Sequence, residues 1–496
     1  MTSRFALAAA AALALALTPS LAVAQTVASA PVTEAELRAH VAYLASDDLA
    51  GRFPGTPGET ATAHYIARQL AGFGFVGGAD DGSFYQPVPL VELHNNGGSA
   101  IFRTSAGAPI AVEEIVWRAP GGSATIRDAE MIFVGHGVDG AGQVVADVRG
   151  KVALLLLADR AGEGAMGFAE RRDALLAAGV AATIAVPDAA IPFAALSRGF
   201  STARIQLASR VSRVPAEAAI SASSADALLQ AAGIDPAAAR AAAAAADYVG
   251  QPLAATVSID ATSFRRAYNS YNVVARLPGT RSGSGSVLMM GHWDHIGLCR
   301  PEGSEDRICN GAVDNASGIA VILEAARRIG SGARPDRDVV VIATTAEEQG
   351  LLGAYHFADQ PTMPLTEIIV NLNIDTVAIA PRGAAMAMVG RGTTPLETGV
   401  DAVARRLGRA IDSDLEGNAF IRRQDGWALT QKDVPSIMAG GSFTDMALLQ
   451  SFLGGDYHGP DDELTDTTPL GGAADDADLH VALVDHFANV TTWPGS

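Results

Sequence analysis

The chain has 496 residues, 49% hydrophobic and 18% charged, the balance of a folded protein and enough for two or three domains. Acidic residues outnumber basic ones, 54 to 35, for a formal charge of −19. That argues against nucleic acid as a partner, because phosphate binding needs a basic face. Lys151 and Lys432 are the only lysines, a bias with no physical explanation.

Residues 1–24 read as a secretory signal peptide that lies outside the fold. Arg4 precedes an Ala/Leu-rich run to Leu17, then Thr18-Pro19-Ser20, then Ala22-Val23-Ala24 before Gln25. This is the basic start, short apolar core and A-x-A site of an exported chain. The alternative, a membrane anchor, requires ~20 helical residues, more than this run supplies. No cysteine follows the run to carry a lipid, and no later stretch is long and apolar enough to span a bilayer. The expected location is periplasmic or secreted, after cleavage near Ala24.

From Thr33 to Phe75 the pattern is helical. Leu37, Val41, Leu44 and Leu49 recur at helix spacing, Arg52-Phe53-Pro54-Gly55-Thr56-Pro57-Gly58 breaks the chain, and a second helix is predicted over Glu59–Gly72. Phe84–Leu93 reads as an edge strand, since Pro87 and Pro89 cannot sit in a central one. From about Asn95 to Val249 short strand-like runs dominate (131–134, 151–157 and 182–186), with one helix around Ala169–Ala178 and a low-complexity alanine tract, Ala237–Ala246, read as a surface helix. Gly135-His136-Gly137-Val138-Asp139-Gly140 fits GxGxxG, but a strand-like run follows it instead of a helix. It is read as a turn and not as a dinucleotide site.

After Tyr271 strands and helices alternate: strands at 273–277, 287–290, 339–343, 368–374 and 435–438, with helices at 316–329, 351–358, 400–407 and 479–490. Helices interleaved with apolar strands argue an α/β sheet covered on both faces. Cys299 and Cys309 lie in one loop of this part. A disulfide is expected in an oxidising compartment, with two free thiols the alternative. A metal role is disfavoured, because the loop offers no second pair of soft ligands.

In such a sheet, functional residues collect at the carboxyl ends of the strands. His292 and Asp294 follow one apolar strand, Glu347 and Glu348 another, and Asp375 a third. Asp314 precedes a helix, and His458 lies in the loop 454–460. Each alone has an ordinary reading: a buried, hydrogen-bonded histidine, a helix cap at Asp314, helix starters at Glu347-Glu348. Together they are harder to dismiss. A carboxylate at a buried strand end is costly unless paired, and a divalent cation would pair all of them.

The ordered set His292-Trp293-Asp294, Asp314-Asn315, Glu347-Glu348, Asp375 and His458 resembles the M28 family of zinc-dependent exopeptidases. Leu44-Ala45-Ser46-Asp47-Asp48-Leu49-Ala50-Gly51-Arg52 is similar to the family's start, and Asp147-Val148-Arg149-Gly150-Lys151-Val152 resembles a protease-associated (PA) domain. The resemblance implies a mixed, largely parallel central sheet with helices on both faces, plus an inserted β-rich PA-like domain. Residues 25–95 would be the first part of the catalytic domain, 96–255 the insert and 256–496 the main part. It further implies two zinc ions: Asp314 bridging, His292 and Asp375 completing one position, Glu348 and His458 the other. Asp294 would hydrogen-bond the second nitrogen of His292, and the peptide after Asp314 would be cis.

Nitrogen and oxygen ligands with open positions suit catalytic zinc. Two such ions, typically ~3.5–4 Å apart, share a hydroxide available near neutral pH and polarise a carbonyl. Glu347, beside ligand Glu348, is read as the general base that moves the water proton to the leaving amine. His295 is read as structural. Family members often carry Ser-Asp-His where this chain has Gln424-Asp425-Gly426. Arg422 and Arg423 beside it could meet an acidic substrate group, and are read as solvated.

The leading expectation is an exported aminopeptidase acting on peptides. The alternatives are a carboxypeptidase releasing a C-terminal acidic residue and a non-catalytic binding protein on the same fold. No G-x-S-x-G turn is present for a serine hydrolase.

Overall fold

The apolar run Val287–Met290 becomes the middle of the strand Ser286–His292, whose seven residues are all buried. The structure is a computed structural model and describes residues 30–144, 146–158, 166–188, 191–245 and 247–494. The expected signal peptide lies outside the described residues.

Ser286–His292 runs parallel to Asp338–Thr344 on one side and to Ile368–Asn373 on the other. Ser436–Gly440 continues the parallel set beyond Ile368–Asn373, and Ala387–Val389 closes that edge antiparallel. These strands lack a polar alternation because both faces are covered. Val287, Met289, Val341 and Leu372 pack into one core with the helices Glu34–Leu44, Pro57–Gly72, Gly318–Ser331 and Leu470–Phe487. Leu288, Met290, Val340 and Ile342 point the other way, against Leu352–Asp359 and Gly426–Thr430. The two-residue period of a strand sorts consecutive residues onto the two faces. The α/β sheet with helices on both faces is therefore as expected.

The 27-residue strand Gln251–Leu277 was not legible as one element. Its last residues pair antiparallel with Asp338–Thr344, its first with Ser123–Gly135, and most of its length with Tyr85–Thr104. Through it the strands of segment 96–255 join the same 15-stranded sheet. Both expected domain boundaries, at 95/96 and 255/256, fall inside these long strands. The segment nonetheless supplies most of a separate apolar core, which includes Phe133, Leu154, Ile184, Ala218 and Ala255.

Pro87 and Pro89 pair only with Tyr271 and Asn269, on one side of their strand, so the edge reading holds there, whereas Leu90–Leu93 of the same predicted strand pair on both sides. Gly135 ends a strand, and no helix follows among the described residues until Phe168, which leaves the GxGxxG match as a turn. The alanine tract is helical over Pro236–Ala243, but Ala239 and Ala243 are buried, so this helix covers core as well as surface. Two helices in the same segment, Phe193–Ser201 and Ala222–Ala231, were not predicted. Cys299 and Cys309 form a disulfide with Cα atoms 5.8 Å apart. No helix among the described residues is long and apolar enough to cross a membrane.

Candidate active site

Parallel strands deliver their carboxyl ends to one edge of the sheet, and the residues singled out above gather there. His292 is the last residue of its strand, while Glu347-Glu348 and Asp375 lie just beyond the ends of the two neighbouring strands. Asp314 comes from the turn Ala312–Ser317, which feeds the helix Gly318–Ser331. His458 follows the helix Met446–Gly454.

The Asp314 turn is built tightly. Gly311 has φ of 59°, and a Cβ there would lie 2.1 Å from the Asp314 carbonyl and 2.6 Å from the His295 ring. Only glycine fits both the conformation and the space. The Asp314–Asn315 peptide is cis. The Asn315 amide donates to the Ile374 carbonyl at 3.1 Å and its oxygen accepts the N–H of Gly318 at 3.0 Å and of Thr376 at 3.2 Å. One side chain thereby ties the turn to a strand end.

Asp314 faces both histidines. One carboxylate oxygen is 3.1 Å from His292 Nε2 and the other is 3.4 Å from His458 Nε2. His292 Nε2 is also 3.5 Å from Asp375, and His458 Nε2 is 2.9 Å from Glu348. Potential ligand atoms of His292, Glu347 and Asp375 lie within 4.8 Å of one another, as do those of His292, Asp314 and Glu348.

Asp294 differs from expectation in one respect. The nearest partner of His292 Nδ1 is the main-chain carbonyl of Asp294 at 3.1 Å, whereas the carboxylate is 3.9 Å away. A carbonyl only accepts, so Nδ1 carries a proton and Nε2 is the nitrogen turned toward Asp314 and Asp375. The Asp294 carboxylate instead accepts the main-chain N–H of Glu347 at 3.0 Å. The residue orients His292 through its carbonyl and ties its own strand end to that of Asp338–Thr344 through one carboxylate oxygen.

Several supporting residues were not predicted. Asp462 accepts the N–H groups of Val313 and Asp314 at 2.8 and 3.0 Å. Arg52 is fully buried and donates to the carbonyls of Leu44, Trp293, Asn310 and Gly311. Its only signal in sequence was the Leu44–Arg52 resemblance. Asp425 is buried and accepts the Thr344 hydroxyl. His295, read as structural, is buried with Nδ1 2.6 Å from Glu348 Oε1, so it braces a candidate ligand.

The electrostatics show what this crowding requires. Burial pushes Asp294 up to about 8 and Asp425 up to about 6, and burial with the neighbouring carboxylates holds Glu347 well above its usual range. Burial alone would lower His292, yet Glu347, Asp375 and Asp314 hold it well above its ordinary value. Burial also works against the charge on Asp314, but His292 and His458 keep its carboxyl low. Four carboxylates and two imidazoles facing one another in little space form a donor set that divalent cations of the zinc type would neutralise. The residues present fit such ions.

A small pocket opens beside Glu347 and Asp375, walled by Phe420, Met438, Phe443, Leu449 and Leu453, with Tyr457 stacked on His458 at a centroid distance of 3.7 Å. Arg423 also lines it, its guanidinium 5.3 Å from the Phe420 ring centroid. Arg423 is exposed, in keeping with the solvated reading, and it lines the pocket as well. Arg422 lies over the Trp427 ring instead.

Comparison with known proteins agrees with this arrangement. A probable zinc metalloprotease of Pyrenophora teres f. teres (strain 0-1) is 37% identical over 109 residues, 22% of this chain and 23% of that protein. Carboxypeptidase Q of Pongo abelii is 30% identical over 116 residues, 23% of this chain and 22% of that protein. These matches span about a quarter or less of the curated relatives. The solved structure of an aminopeptidase from Aneurinibacillus sp. strain AM-1 is similar in fold, with a TM-score of 0.52 at 19% identity over 92% of this chain and 94% of that one. Residues 272–478, which contain His292, Asp314, Glu347, Glu348, Asp375 and His458, match the family model described as Peptidase family M28, so this part of the chain belongs to that family.

Proposed function

We propose that the chain is an exported di-zinc aminopeptidase that removes N-terminal residues with apolar side chains from peptides. The observation that carries this reading is the two-sided contact of Asp314, one oxygen toward His292 and the other toward His458. His292, Asp375 and Asp314 would hold one ion, and Asp314, Glu348 and His458 the other. When bound, such ions polarise the substrate carbonyl and make water acidic enough to attack near neutral pH.

The chain's own residues supply the rest. Glu347 takes the proton of the attacking water and passes it to the departing amine. Asp294 fixes the His292 tautomer through its carbonyl and the position of Glu347 through its carboxylate. The apolar pocket seats the side chain of the N-terminal residue, and Tyr457 closes over His458 to limit water. The PA-like reading of residues 96–255 is supported by the Asp147–Val152 resemblance and by a core separate from that of the catalytic strands.

A second reading is a carboxypeptidase, favoured by Arg423 on the pocket wall, where a cation would meet a substrate carboxylate. The two separate in an assay of aminoacyl anilides and of N-blocked peptides ending in an acidic residue, before and after chelation and zinc return. Chelator-sensitive, zinc-restored hydrolysis of Leu, Met or Phe anilides is expected. Cleavage of only the N-blocked acidic substrates would establish the second reading. No chelator-sensitive cleavage at all would leave a binding protein.

A further inference from the structure

Glu347 and Glu348 are consecutive, yet they line different cavities. Glu347 faces the small apolar pocket, while Glu348 is on the wall of a cavity of about 880 Å³ formed with segment 96–255. The helix Phe193–Ser201 presents Leu196 and Phe200 to this cavity and has no buried residue of its own. The size is that of sites that enclose a small ligand.

The cavity wall is rich in cations, on a chain whose formal charge is −19. Arg118, Arg172, Arg204 and Arg210 all line it, with Arg210 paired to Asp359 off the wall at 2.9 Å, and apart from Glu348 its acidic residue is Glu217. Glu217 is buried and accepts from Arg118 Nε and Nη2 at 2.9 and 2.7 Å, with Arg172 Nη1 at 3.3 Å. Arg172 has a second partner in Asp173, which is not on the wall. Arg204 is exposed and has no carboxylate within ion-pair distance among the described residues, and partial desolvation together with the adjacent Arg118 lowers its affinity for its proton. Glu217 and Asp173 supply two carboxylates for the three guanidinium groups of Arg118, Arg172 and Arg204, which leaves Arg204 as the cation that gains from an incoming anion.

We propose that this cavity receives the part of a short peptide on the carboxyl side of the scissile bond, and that Arg204, backed by Arg118 and Arg172, binds the peptide's terminal carboxylate. The inference rests on the aminopeptidase reading and narrows it to short peptides with a free C-terminus. The residue removed occupies the pocket beside Glu347, and the remainder lies beyond Glu348. Recognition is of a carboxylate, so an acidic side chain at the same depth is the other possible source.

The test compares kcat/KM of the zinc-loaded, full chain on Leu-Gly-Gly, its C-terminal amide, Leu-Gly-Glu amide and leucine anilide. The free acid is expected to exceed the amide by about tenfold, chiefly through KM, the scale of one charge-assisted hydrogen-bonded contact. The acid-to-amide ratio should fall to about one in Arg204→Ala, invert in Arg204→Glu and partly survive in Arg204→Lys. Equal rates for acid and amide in the unaltered enzyme would overturn the proposal, as would an unchanged ratio in both Arg204→Ala and Arg204→Glu. If Leu-Gly-Glu amide matches the free acid, the side chain is an equal source of the carboxylate and the arginine site stands. Failure to cleave leucine anilide and every peptide would overturn the aminopeptidase reading itself, and this proposal with it.

Discussion

The carboxylate of Asp294 accepts the main-chain N–H of Glu347 at 3.0 Å. This bond joins the ends of two parallel strands and sets the backbone from which the proposed general base projects. Glu347→Ala is expected to keep its metal and lose at least ~100-fold in turnover. Asp294→Ala removes only the carboxylate under Glu347 and keeps the carbonyl that holds His292, so it should retain zinc and lower kcat by less than Glu347→Ala does. Metal content alongside kcat checks both, and substantial activity in Glu347→Ala would remove it from the base role.

Asp314 spans the two histidines, so its loss should affect both metal positions. Asp314→Ala is expected to bind no zinc at either. Elemental analysis after gel filtration reads this directly, and two ions per chain in the variant would sink the bridging assignment.

Arg52 holds four carbonyls around the site from a fully buried position. Burial lowers its pKa to about 10, against the pull of Asp294 and Asp462, so it stays charged at neutral pH. Arg52→Met keeps the length but leaves those carbonyls without their donor. We expect a loss of about 3 kcal/mol or more in urea unfolding, with weaker zinc retention. Unchanged stability would show that the carbonyls find other donors.

Away from the site, Glu324 lies 3.2 Å from His40 Nε2 and accepts from Arg327. Burial raises its carboxyl, but His40 and Arg327 outweigh burial and bring it to about 2, below the ordinary 4.5. A depressed folded value means stability that is present above the unfolded pKa and lost as pH falls toward the folded one. Glu324→Gln should therefore cost about 2 kcal/mol at pH 7, discounted for the exposure of Arg327, and less with each step from pH 5 to 3. Unfolding curves of both proteins across that range check it; a gap independent of pH would point to packing.

The strand-end residues could be read from the chain because the catalytic sheet is parallel and buried on both faces. Such strands appear as unbroken apolar runs, and a charged residue at the end of each is conspicuous. His292, Glu347, Glu348 and Asp375 were found this way. The helix Leu470–Phe487 was read only from Leu479, because Gly471, Gly472 and Asp476 look like loop. Asp476 is buried there with Arg409 as its ion partner, 2.6 Å away, a contact between residues far apart in sequence.

The sequence by itself determined the sheet class, the order of the candidate ligands and the disulfide candidates, since these follow from local periodicity and residue type. Only the tertiary structure decided that Asp294 serves His292 through its carbonyl, that Arg52 and Asp462 brace the Asp314 turn, and that one 27-residue strand links segment 96–255 to the catalytic sheet. It also placed Glu347 and Glu348 on different cavities. Each of these depends on where a backbone group or side chain meets a residue distant in sequence, which no spacing along the chain encodes.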